Sequence, residues 1–141
     1  MAIEWLDHTA DAGFRASGAS IEIAFCEAAR ALFSLMFAVE CIDARTEFQI
    51  TLNAARLEDL LIEWLSELLV QKDLSGLVFS RFELVISGNE TVGFSASGRA
   101  LGEPLDRVRH QPGTEVKGIS YLGLAVSCQD GIHTAQVVVD V

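Results

Sequence analysis

The chain has 141 residues, a length that suits one domain spanning residues 1–141. Half of the residues are hydrophobic, yet charged or small polar residues break every apolar run before the ~20 residues that a membrane span needs. Twenty acidic against ten basic residues give a net charge of −10, which repels phosphate backbones and disfavours direct nucleic-acid binding. A basic protein partner or a cation suits such a surface better.

The first eleven residues carry acid early and lack the basic-then-apolar pattern of a secretory signal, so none is expected. Cys26, Cys41 and Cys128 are odd in number and form no CxxC, which points to reduced thiols and a cytoplasmic location. From Ala12 to Ser17, Phe14 and Ala16 alternate with Arg15 and Ser17, predicting a short strand that Gly18 closes. Ser20 then offers an N-cap. Ile21, Phe25, Ala28, Leu32 and Met36 follow at helical spacing. Residues 47–52 alternate polar and apolar as a half-buried strand does.

A second helix is predicted where Leu57, Leu60, Leu61, Trp64, Leu65, Leu68 and Leu69 share one face. Glu58, Asp59 and Glu63 lie toward its start and Lys72 at its end, complementing the helix dipole. Phe82, Leu84 and Ile86 then alternate with Glu83, Val85 and Ser87, residues 87–90 supply turn chemistry, and Val92, Phe94 and Ala96 return, so this stretch reads as a hairpin. Gly102 to Gly113 reads as a loop with at most a short helix. Val116 to Val126 alternates poorly, as a strand covered on both faces would. Ala135, Val137 and Val139 mark one face of the final strand. The expected class is α+β, with two helices packed on a largely antiparallel sheet.

Carboxylates gather toward both ends of the sequence. Asp7, His8 and Asp11 precede the first predicted strand, and the last two residues are Asp140 and Val141. If the final strand ended beside the DHTAD segment, Asp11, Asp140 and the α-carboxylate of Val141 would make an all-oxygen anionic cluster. Hard cations want such ligands, and Ca²⁺ tolerates an irregular shell completed by water. The alternative is a turn residue at Asp11 and a solvated end at Asp140, and the residues alone leave both open. His8 fits a loop-orienting role better than ligation, while His110 and His133 fit surface or structural roles. No GxSxG elbow, P-loop, GxGxxG or HExxH is present. No local spacing brings a cysteine to a histidine.

Three stretches together resemble the archease family. They are Asp7-His8-Thr9-Ala10-Asp11-Ala12-Gly13 with the following helix ending Ala31-Leu32-Phe33-Ser34-Leu35-Met36, the run from Glu58 to Leu69, and Glu115-Val116-Lys117-Gly118-Ile119-Ser120-Tyr121 with the terminal Val137–Val141. The resemblance implies an archease-like fold, a strand-helix-strand-strand module with an inserted unit. It implies a non-enzymatic protein cofactor that promotes GTP-dependent guanylylation and turnover of an RtcB-type RNA-splicing ligase, serving tRNA splicing and RNA repair. It also implies that Asp11, Asp140 and Val141 are metal ligands, which favours the divalent-cation reading, with Ca²⁺ as the expected ion. One position departs: family members often carry a histidine after the tyrosine of the third stretch, where this chain has Leu122. Two rival expectations are a chaperone-like interaction module for RNA-modifying proteins and a metal-dependent hydrolase. The hydrolase lacks a candidate general base beyond Asp7 or His8.

Overall fold

Among the residues that the computed structural model describes, 2–6 and 12–141, the chain begins β1 (Ala2–Leu6), β2 (Ala12–Gly18) and α1 (Ile21–Met36). A 3-10 turn at Val39–Cys41 leads to β3 (Thr46–Ala54), α2 (Leu57–Ser75), β4 (Leu77–Asn89) and β5 (Gly93–Pro104). A single helical turn, α3 (Arg107–His110), precedes β6 (Gly118–Gln129) and β7 (Ile132–Asp140). The α+β class holds, with helices packed on antiparallel strands. Those strands divide into two sheets, ordered β1-β2-β7-β6 and β3-β5-β4. Strand β1 is an addition to the sequence reading: its Trp5 packs edge-on against Phe14 at 5.8 Å between ring centroids.

Helix α1 starts directly after Ser20, whose backbone is extended. The Ser20 hydroxyl accepts a hydrogen bond from the Ile23 amide at 3.1 Å, the expected cap. Helix α2 has no side-chain cap but opens with Glu58 and Asp59, the latter paired with Arg56 at 3.1 Å. It closes at Gly76, whose φ of 72° is a left-handed conformation that favours glycine, and whose amide donates to the Lys72 carbonyl.

Both helices bury more than the single stripe that periodicity predicts. At 100° per residue, Leu60, Leu61, Ile62, Trp64, Leu65, Leu68 and Leu69 cover an arc of about 200°. The cause is that each helix touches both sheets: α1 packs on β2 and β7 of one and β4 of the other, and α2 on β6 of one and β3 and β5 of the other. The core therefore lies between the sheets and around the helices. Trp64 sits inside it with no exposed surface, and its indole N–H donates to the Phe25 carbonyl at 3.0 Å. That bond joins the helices and satisfies the one polar atom the ring brings into the core.

Strand β6 corrects the reading of Val116 to Val126 as doubly covered. It is an edge strand, and most of its residues are partly or fully exposed. Its poor alternation comes from a bulge. Ser120 pairs with Val138 and Ala125 with Gln136, so residues 121–124 loop out against one residue of β7. Gly123 takes a φ of 81° there, and its carbonyl accepts from the Gln136 side chain at 2.9 Å. Tyr121 and Leu122 project into solvent. A bulge in an edge strand also blunts its unpaired edge against pairing with other chains.

Candidate functional site

Strand β7 lies between β2 and β6, and its far end carries the predicted carboxylates. Apolar Val137 and Val139 are buried on this strand, and the pattern breaks to solvent at Asp140 and Val141. Asp140 pairs with Gly118, and its carbonyl accepts the Lys117 amide at 2.8 Å, so the backbone of the last strand residue is fixed from the β6 side. On the other side Ala12 pairs with Val139. Ala12 is the residue directly after Asp11, and Asp140 directly follows Val139. Asp11 itself, with Asp7 and His8, lies outside the described residues. Among the described residues no three His, Cys, Asp or Glu side chains gather as a metal group. Asp140 and Val141 are exposed at this edge.

A polar cluster that periodicity did not reveal sits behind β5. Glu103 and His110 are the buried polar residues among those described, at 5% and 0% exposure. The His110 Nδ1 accepts from the Asp106 amide at 2.9 Å, which leaves its proton on Nε2 to donate to Glu103 Oε2 at 3.0 Å. The same oxygen accepts the Asp43 amide at 2.6 Å, while Oε1 accepts from Arg109 Nη2, and Arg109 also reaches Asp43 at 3.3 Å. The Asp43 amide foremost, then Arg109 and His110, hold the Glu103 carboxyl down at about 2 despite its burial. The cluster ties the loop after β5 to the segment after the 3-10 turn, and the Ala38 amide adds a bond to the His110 carbonyl at 2.7 Å. It is structural. Asp43 and Glu103 stand too far apart in sequence for any local pattern to announce the pairing.

A third arrangement also departs from expectation. The Cys128 thiol and His133 Nε2 meet at 3.6 Å, as direct cross-strand partners of the β6–β7 hairpin. The signal that could have found them is Asp130-Gly131. Both residues take positive φ, 53° and 76°, the pattern of a two-residue hairpin turn, which places the residues two before and two after it opposite each other.

The model of the archease protein family matches residues 4–141. The chain belongs to the archease family. It is 39% identical over 139 residues to the archease of Pyrococcus abyssi, covering 98% of this chain and 97% of that one. It is 37% identical over 137 residues to the archease of Methanopyrus kandleri, covering 97% of each. The solution structure of protein 1598 from Methanobacterium thermoautotrophicum superposes with a TM-score of 0.82 at 28% identity, covering 99% of this chain and 98% of that one. A crystal structure of an archease from Thermotoga maritima, described as a "possible chaperone", shares the fold with a TM-score of 0.60 at 21% identity, covering 96% and 94% of the two chains. Of the three archease-like stretches, the second forms α2 and the third leads into β6 beside the end of β7.

Proposed function

We propose that this archease is a protein activator of an RtcB-type RNA-splicing ligase, and that a divalent cation, Ca²⁺, held by Asp11, Asp140 and the end of Val141 is the feature the ligase engages. Family membership over residues 4–141 carries the reading. The antiparallel pairing of Ala12 with Val139 supports it, because in the sequence Asp11 directly precedes Ala12 and Asp140 directly follows Val139. Like-charged carboxylates brought together favour a bound cation to offset their repulsion. A ligase site that handles GTP and RNA ends should be cationic, which an acidic activator complements.

The chain's own residues supply anionic oxygens and a fixed backbone. Three such groups leave coordination positions open, since Ca²⁺ takes about six to eight oxygens. Asp11, Asp140 and the end of Val141 would hold the ion, which would supply open positions for a carboxylate or phosphate from the partner or a fixed shape for the ligase to recognise. In this reading the protein does no chemistry of its own.

The experiment measures guanylylation of an RtcB-type ligase by labelled GTP with and without this protein. Stimulation by the wild type is expected. Asp11→Ala, Asp140→Ala or residues added beyond Val141 should abolish it while circular dichroism stays native. An Asp140→Ala variant that stimulates fully would refute the cation-centred mechanism. Phosphoester hydrolysis by the protein alone, lost in Asp11→Ala, would replace activation with the hydrolase reading. A chaperone-like role follows the word used of the Thermotoga maritima archease. It would instead show as suppressed aggregation of RNA-modifying proteins that does not depend on Asp140.

A further inference from the structure

We infer that Cys128 and His133 form half of a tetrahedral zinc site at the tip of the β6–β7 hairpin. The pair lies at the opposite end of β7 from Asp140 and is independent of the reading above. Zinc takes thiolate sulfur at about 2.3 Å and imidazole nitrogen at about 2.0–2.1 Å, so two such ligands at a tetrahedral angle stand about 3.6 Å apart. Cys128 Sγ and His133 Nε2 stand 3.6 Å apart. The separation also suits an S–H···N hydrogen bond. In the metal-free protein that contact keeps the two atoms at the separation a metal would need, and loss of the thiol proton would free the sulfur to bind it.

The frame around the pair is rigid. Gln129 pairs with Ile132, Cys128 with His133 and Ser127 with Thr134, and the turn has its two positive-φ residues in place. On its other side His133 pairs with Gly18, so the histidine stands on an interior strand rather than a loose end. The cysteine is exposed, and with the histidine it borders a cavity of about 280 Å³ between the sheets, where Ile21, Leu57, Ile86 and Phe94 form the apolar wall. Apolar walls strengthen a thiolate–metal bond by excluding competing dipoles. A nucleophilic Cys–His dyad would need a third group orienting the ring and donors for an oxyanion. A tetrahedral metal can take this pair as two of its four ligands.

Binding is written as an exchange. Zn²⁺ takes the sulfur lone pair of Cys128 and the Nε2 lone pair of His133, and one thiol proton leaves to solvent. Water fills the remaining two positions, or the same pair from a second copy closes a Cys₂His₂ site.

The test titrates cobalt(II) and zinc into the fully reduced protein. Cobalt should raise the near-ultraviolet band that only a thiolate–cobalt bond gives, and zinc should displace it. The band should persist in Cys41→Ser and vanish in Cys128→Ser and His133→Gln, with thermal melting of the surface variants close to wild type. A titration endpoint of one metal per monomer assigns the open positions to water, and one per dimer assigns them to a second copy. Either endpoint supports the pair. No band in excess cobalt, or a band that survives Cys128→Ser, overturns it.

Discussion

The Glu103 carboxylate accepts three hydrogen bonds where burial would otherwise penalise its charge, from the Asp43 amide, Arg109 and His110, and this makes it a pH-sensitive strut. Its folded pKa of about 2 lies below the ordinary 4.5, so its contribution to stability is fully present above pH 4.5. That contribution is lost as the pH falls toward 2. A Glu103→Gln variant should therefore melt lower at neutral pH and lose less further stability than wild type between pH 4.5 and 2, as read by thermal denaturation in that window. Cys26 behaves oppositely. Burial first, then Glu27 and Glu22, pushes its thiol up to about 12, so at neutral pH it should resist iodoacetamide while exposed Cys128 reacts, a contrast that peptide mass spectrometry resolves. Neither behaviour was fully legible in the sequence. Cys26 reads as buried because it stands among apolar helical residues. Glu103 falls in the stretch read as a loop, and its hydrogen bonding depends on Asp43 arriving from a distant segment.

Elements announce themselves when one face decides their pattern. Helix α2 was legible because leucines at three- and four-residue spacing leave no other period, and Ser20 marked the start of α1 correctly. Truncating the ring in Trp64→Ala should cost ~3–5 kcal/mol in urea unfolding, since the side chain is wholly buried and its N–H is bonded to Phe25. Removing the cap in Ser20→Ala should cost about 1 kcal/mol by the same measurement. Strand β6 was misread because a bulge shifts the side-chain phase by more than a whole repeat. An alternation rule assumes an unbroken ladder, and residues 121–124 break it.

At the scale of the molecule, sequence predicts the ingredients of the candidate site but not their meeting. Asp140 and Val141 were singled out as carboxylate donors, and the β2–β7 pairing is a long-range event that no local pattern encodes. The family resemblance carried that information instead. Strand β7 has a further use. It runs without interruption from His133 to Asp140, and at about 3.4 Å per residue this spaces the two ends by about 24 Å. If both proposed sites bind as argued, the strand is a built-in ruler with a different metal preference at each tip, thiolate and imidazole at one and hard oxygen at the other. In a nitrogen-15 spectrum, cobalt(II) should broaden the amides of Ser127 and Thr134 and spare Gly118. Gadolinium(III), a hard stand-in for Ca²⁺, should erase Gly118 and spare the hairpin.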